Sequence, residues 1–241
     1  MRGCLLRLLI WPVLLLVVAW FGLPPLASAA ISAGLGAAGF HASAETVDVI
    51  ADPPLKLLVL RADQVHLRAS RATFRGLTLA GVDLTVTKLS VLERSAGTID
   101  GTLTGVTVPN ADGGSISVAT IGVSGSGAVR NVAVRLGIDL REVETLAAAA
   151  LGAPTGSIAT VTLAGPDRAT IVVAGSVVAG RLLVDATGAL VFRPAHATAG
   201  IGTSLVLARP DPATPIRLTG VVADPAGLTV EGALDLSLFG G

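Results

Sequence analysis

Two periodicities divide this chain. Leu8 to Leu23 is almost wholly apolar and carries no charge, with Arg2 and Arg7 ahead of it. From Glu45 onward apolar residues recur at every second position instead. Val47 and Val49 alternate with Thr46 and Asp48, Val65, Leu67 and Ala69 with His66, Arg68 and Ser70, and Val132, Val134 and Leu136 with Asn131, Ala133 and Arg135. A period of two marks a strand with one buried face. Leu77 and Leu79 share a face, Ala80-Gly81 shifts the frame, and Val82, Leu84 and Val86 resume it. A glycine at such a step reads as a bulge or tight turn. Further strands are predicted around Ile99 to Val108, Ile116 to Ile121, Ile158 to Leu163, Thr170 to Val173, Arg181 to Val184, Leu190 to Phe192, Ser204 to Leu207, Ile216 to Val222 and Leu228 to Leu238. Turn signals such as Asn110-Ala111-Asp112-Gly113-Gly114 and Asp224-Pro225-Ala226-Gly227 separate them.

Two stretches read as helix. Leu26, Ile31 and Leu35 fall near helical spacing between Ala27 and Phe40; Gly34 and Gly36 weaken that stretch, and Gly39 suits its end. Asp139 to Leu151 is the clearer one, with an apolar stripe of Leu140, Val143, Leu146, Ala147 and Ala150. Asp139 with Glu142 three residues on matches a capping box, and Gly152 and Pro154 stop the helix. Many short strands with few helices predict an α+β, β-dominated, antiparallel fold.

The start of the chain adds a location. A basic beginning, an apolar centre, Pro24-Pro25 as a helix break and the small-residue run Ala27-Ser28-Ala29-Ala30 form an export signal. Residues 1–29 are expected to be a signal peptide or a signal anchor, and residues 30–241 one exported domain. Cleavage after Ala29 would release the domain, and retention would hold it on the outer face of the cytoplasmic membrane. A span needs ~20 apolar residues, so the run from Leu8 to Leu23 reaches only if it is extended back to Leu5 and on to Leu26.

Composition narrows the function. Seventeen basic residues balance seventeen acidic ones, which gives no footprint for nucleic acid. The single cysteine, Cys4, lies in the leader, so the exported part has no disulfide and relies on its core. Aromatics make up 3% and Tyr is absent, which weighs against a sugar-stacking site. The aliphatic interior suits an ordinary core or a cavity for acyl chains.

Catalytic and metal chemistry find little support. Gly34-Leu35-Gly36-Ala37-Ala38-Gly39 has the spacing of a dinucleotide loop but follows the leader rather than a strand. His41, His66 and His196 are far apart and have no cysteine partner, so no zinc site is indicated. No nucleophile elbow is present. Neither a metal nor a cofactor is expected, and the chain is not expected to be an enzyme. Lys56, Arg61, His66, Arg68, Arg71 and Arg75 make a locally basic region beside Leu57, Leu58 and Leu60. This is either the solvated face of strands or a contact for anionic headgroups.

The same residues carry a resemblance. Asp52-Pro53-Pro54-Leu55-Lys56-Leu57-Leu58, then Ala62-Asp63-Gln64-Val65-His66-Leu67, Leu77 to Leu84 and Gly101 to Val108 resemble the LmeA-like phospholipid-binding family of bacterial envelope proteins. Ile216-Arg217-Leu218-Thr219-Gly220-Val221 and Gly227-Leu228-Thr229-Val230-Glu231-Gly232 are similar to its closing stretch. The resemblance implies a fold like the tubular lipid-binding proteins: a long curved antiparallel sheet wrapping one or two helices, with acyl chains in the slot between. It supplies no catalytic motif.

The expectation is therefore an exported, membrane-associated protein that holds phospholipid in an apolar groove. Leu140, Val143, Leu146 and Ala147 would form one wall, Leu77, Leu79, Leu84 and Val86 the facing sheet, and Arg68, Arg71 and Arg75 the headgroup contact. The alternatives are a structural or adaptor domain on the cell surface and, third, a hydrolase or transferase acting on envelope lipids or glycans.

Overall fold

The structure is a computed structural model that describes residues 22–128, 131–154, 158–173, 175–197 and 200–235. Helix α1 covers residues 22–37. Strand β1 (Phe40–Ile50) and a short 3-10 helix (Pro54–Val59) follow. Then come β2 (Arg61–Phe74), β3 (Leu77–Ser90), β4 (Ser95–Pro109), β5 (Ser115–Ala128) and β6 (Asn131–Asp139). Helix α2 (Leu140–Ala150) precedes β7 (Val161–Leu163), β8 (Arg168–Val173), β9 (Ser176–Val184), β10 (Leu190–Pro194) and β11 (Leu205–Ala208). The hairpin β12 (Ile216–Asp224) and β13 (Gly227–Asp235) completes the described chain.

The strands form two open antiparallel sheets. The first has eight strands in the order β1-β2-β3-β4-β5-β6-β13-β12, and the second has five, β11-β10-β9-β8-β7. Sequential strands pair by hairpins through most of the first sheet, as the turn signals require. The last hairpin then returns to lie beside β6, Val230 opposite Leu136. The alternation of the sequence is thus realised as a β-dominated fold, with the late strands split off into a sheet of their own.

Helix α2 sits between the sheets. It meets β5, β6 and β13 on one side and β7 and β11 on the other. Its stripe explains this: Val143, Leu146 and Ala147 are fully buried, and Leu140 is half-buried. Its stop is the predicted one. Gly152 takes φ 73, Ala153 N–H reaches Ala148 O at 3.0 Å and Gly152 N–H reaches Ala149 O at 2.9 Å, a Schellman closure. Its start differs from the expected capping box. Asp139 makes no side-chain cap bond, and the Glu142 carboxylate accepts the Ser117 N–H of β5 at 2.8 Å instead. A neighbouring strand offers Glu142 a better-placed donor than its own first turn.

Pro24 and Pro25, read as a helix break, are both helical and stand in the first turn of the described part of α1; what precedes residue 22 lies outside the described residues. Proline fixes φ near the helical value, and what it removes is a donor. The helix also runs through Gly34 and Gly36 and ends at Gly39, φ 91. Phe40, at the end of the stretch read as helical, opens β1 opposite Phe74.

The frame shift read at Ala80-Gly81 is one station of a seam. Along β2 the core positions step from Ala69 to Ala72, along β3 from Leu79 to Val82, along β4 from Leu103 to Val106 and along β5 from Val118 to Ile121. Each is a three-residue step in place of two. The steps align, because Ser70 pairs with Gly81, Gly81 with Thr104 and Thr104 with Thr120. Positive φ at Arg71 (48) and Gly105 (55) marks the seam. Such irregularities bend and twist a strand, and a row of them bends the sheet as a unit.

The seam divides the first sheet. Phe40, Phe74, Leu77, Val106 and Val118 on one side of it and Val82, Ala96, Ile99 and Leu103 on the other join the main core, which continues through α2 into the second sheet. Beyond the seam, the far ends of β1 and β2 carry a second small cluster of Val47, Val49, Ala62 and Val65, covered by Ala27, Ile31 and Leu35 of α1.

Among the described residues no helix is long and apolar enough to cross a membrane. The leader expected over residues 1–29 lies outside the described residues up to residue 21.

Candidate functional site

The predicted lipid-binding residues separate into two environments. Leu77 and Leu79 are 2% and 3% exposed, and Val143, Leu146 and Ala147 are equally closed off. These are packed core. The stripe of α2 takes its main contacts from β5, β6, β13, β7 and β11, and β3 is not among them. The expected facing of this stripe with Leu77, Leu79, Leu84 and Val86 is therefore replaced by burial between two sheets.

Leu84 and Val86 lie beyond the seam and are half-buried. Leu84 pairs with Leu67 and Val86 with Val65, so the four share the core-side face of the sheet. The same face carries Leu89, and α1 covers it with Ile31 and Leu35, all half-buried. Between α1 and the far half of the sheet, Leu67, Val86, Leu89, Ile31 and Leu35 thus keep part of their surface open around the buried Val47, Val49, Ala62 and Val65, and Leu84, half-buried against the main core, adjoins them through Leu67. This interval is the candidate site. The signal that could have found it is the spacing of Leu26, Ile31 and Leu35, read as helical but not assigned a partner.

The opposite face of this half-sheet is polar. His66 Nε2 bonds Asp83 Oδ1 at 2.8 Å, and Arg68 Nε stands 3.6 Å from Asp83 Oδ2. The His66 hydrogen bond, reinforced by the charges of His66 and Arg68, holds the Asp83 carboxyl below its ordinary range.

The three predicted headgroup arginines do not converge. Arg68 pairs with Asp83 on this outer face, Arg71 is exposed in the seam, and Arg75 occupies the β2–β3 turn with its guanidinium 5.8 Å from the Phe74 ring centre. They are strung along β2 away from the aliphatic interval.

Other basic groups cluster at the far end of the sheet. Between the 3-10 helix and the β3–β4 turn is a hollow of about 420 Å³ whose lining includes Lys56, Arg61, Lys88, Asp63, Glu93 and Ser90. Lys56 Nζ donates to Asp63 at 2.8 Å, and Arg61 pairs with Glu93. Asp63 also accepts the Asp52 N–H. That bond first, and Lys56 second, hold the Asp63 carboxyl below its ordinary range. The Ser90 hydroxyl is buried without a hydrogen-bond partner among the described residues.

Two further hollows lie elsewhere. One, about 430 Å³, is lined in part by Arg168, Arg181 and Arg193, which are cross-strand neighbours on β8, β9 and β10. Asp167 stands 3.5 Å from Arg181. The other, about 340 Å³, includes Asp185, whose carboxyl is held low by the Thr187 hydroxyl and then by the Ala189 N–H. Among the described residues no three His, Cys, Asp or Glu side chains are placed to hold a metal ion.

Comparison with protein-family models, curated proteins and solved structures finds no match for this chain.

Proposed function

We propose that this chain is an exported, membrane-associated phospholipid-binding protein that holds acyl chains between α1 and the far half of its long sheet. The observation that carries the reading is a contrast in packing. Val143, Leu146 and Ala147 of α2 are sealed, whereas around the small buried cluster under α1 the large aliphatic Leu67, Leu84, Val86, Leu89, Ile31 and Leu35 are left half-open. Each acyl methylene buried against them stabilises a complex by ~0.8 kcal/mol, so no special polar chemistry is required. The polar outer face of the same strands confines that attraction to one side. The sequence resemblance to the LmeA-like phospholipid-binding family points the same way, as does the apolar run ahead of α1.

The test is lipid mass spectrometry on the chain purified from a bacterial host and washed in a lipid-free detergent. Stoichiometric phospholipid that disappears in Leu84→Asp supports the reading. Phospholipid equally present in that variant, or none in the wild type, refutes it.

A further inference from the structure

Seven of the eleven large hydrophobic side chains that stand exposed among the described residues belong to one end of the long sheet. Ile50 ends β1, Leu55, Leu58, Val59 and Leu60 belong to or follow the 3-10 helix, and Val91 and Leu92 form the β3–β4 turn. Leu58 is 64% and Leu92 71% exposed. The two segments are one surface, because Val91 N–H donates to Leu60 O at 3.0 Å. Scattered exposed aliphatics are ordinary, but a contiguous patch with a polar rim marks an interaction site.

The rim is basic. Lys56 and Arg61 are paired with Asp63 and Glu93. Lys88 and Arg94 are exposed and make no salt bridge among the described residues. Both stand at turning points of the backbone, φ 47 and φ 48. Asp52 is a further carboxylate at this end, so the four cations named face at least three carboxylates there. The arrangement is cations around an aliphatic tip, which complements a bilayer bearing anionic lipid.

Chain direction picks the same occupant. Strand β1 runs from the seam side at Phe40 to the tip at Ile50. Helix α1 precedes it and runs the other way along the face, with Ala27 in the small cluster that also holds Leu57 and Leu89. Residue 22 therefore stands toward the tip end, and the apolar stretch Leu8 to Leu23 leads into the domain there. A leader in the membrane delivers this end to the bilayer surface.

We propose that Leu58, Val59, Leu60, Val91 and Leu92 form a bilayer-docking tip, with Lys88 and Arg94 reaching anionic headgroups. The docked tip sets the open aliphatic interval under α1 close to the acyl region. The proposal rests on the reading of the chain as membrane-facing and is independent of whether that interval retains lipid.

The test uses the full chain in a Cys4→Ser background, reconstituted into phosphatidylglycerol–phosphatidylcholine vesicles containing doxyl-labelled lipid. An environment-sensitive fluorophore is attached at Leu92→Cys or, as control, at Val177→Cys on the second sheet. Docking requires several-fold stronger doxyl quenching at position 92. Quenching should fall in phosphatidylcholine alone and in the Lys88→Glu/Arg94→Glu variant. Equal quenching at both positions overturns the proposal, and so does a blue-shifted position 92 label that doxyl lipid fails to quench, since a protein partner then covers the tip. Leu84→Asp should leave the quenching unchanged, so failure of lipid retention and failure of docking read out separately.

Discussion

Gly105 on β4 lies against Ala80 on β3: a Cβ built at position 105 would come within 2.7 Å of the Ala80 methyl. The same glycine has φ 55, a backbone region that costs an L-residue ~1–2 kcal/mol. Two independent constraints therefore require glycine where the seam crosses β4. Gly105→Ala should lower stability by about 1–3 kcal/mol, the backbone term plus the contact. Adding Ala80→Gly should recover the contact share only, a favourable coupling in a double-mutant cycle. Urea unfolding followed by far-ultraviolet circular dichroism measures both. A neutral Gly105→Ala would show that the seam carries no strain.

The division between sealed and half-open aliphatics predicts opposite phenotypes for neighbouring leucines on β3. Leu79 is 3% exposed and Leu84 is half-buried. Leu79→Ala should cost about 2–5 kcal/mol, as buried leucine truncations do. Leu84→Ala should cost clearly less and should instead reduce the phospholipid recovered with the protein. Thermal unfolding and lipid mass spectrometry on the same preparations separate the two. Equal destabilisation would place Leu84 in the core and remove the candidate site.

The legible features were local ones. Alternation located the strands, and the step at Ala80-Gly81 was readable because one residue too many separates Leu79 from Val82. The stop of α2 was readable from Gly152 and Pro154. The partner of α2 was not, because a buried stripe records only that something covers it. Two sheets and one sheet satisfy Val143 and Leu146 equally. Leu57, Leu58 and Leu60 stood out beside basic residues, but their junction with Val91 and Leu92 depends on the β2–β3 register, which brings Arg61 opposite Ser90. The arginines chosen for headgroups followed sequence proximity along β2, whereas the basic rim of the tip draws half its members from β3 and its turn.

Asp63 gives a pH prediction. Its carboxyl is held below the ordinary carboxylate range by the Asp52 N–H and by Lys56. A lowered folded-state pKa means that the contribution is present above the unfolded value and lost as pH falls through the folded one. Below the ordinary carboxylate range the bonds at Asp52 and Lys56 should fail and the 3-10 helix should loosen. Protection from hydrogen exchange over residues 52–60, measured against the intrinsic rate at each pH, should fall at acid pH, and Asp63→Asn should reproduce this at neutral pH. Exchange in that variant as slow as in the wild type would mean that the 3-10 helix is held by packing alone.

Arg181 is opposite Arg168 on one side and Arg193 on the other, and the acidic side chain it meets among the described residues is Asp167. Like charges directly across a sheet destabilise it, by an amount comparable to the ~0.2–1 kcal/mol that opposite charges contribute. Arg193→Thr should therefore raise the melting temperature in low salt, and the gain should shrink as salt screens the repulsion. A loss of stability would show that Arg193 serves packing through its aliphatic stem.

The final prediction concerns the leader. Helix α1 runs without interruption across Ala27-Ser28-Ala29-Ala30, the run whose small residues suggest a cleavage motif. Ser28 Oγ donates to Pro24 O at 3.1 Å, and Ala27 and Ile31 both pack on the far cluster of the sheet. A peptidase needs the scissile segment unwound, so cleavage after Ala29 requires local opening of this helix against its packing. Cutting there would also strip Ala27 from the cover of the aliphatic interval. If the chain is exported as proposed, it should accordingly keep residues 1–29, and its intact mass should include them. A mature chain that begins at Ala30 would mean that the segment is cut before α1 docks, and that the shortened helix covers the sheet alone.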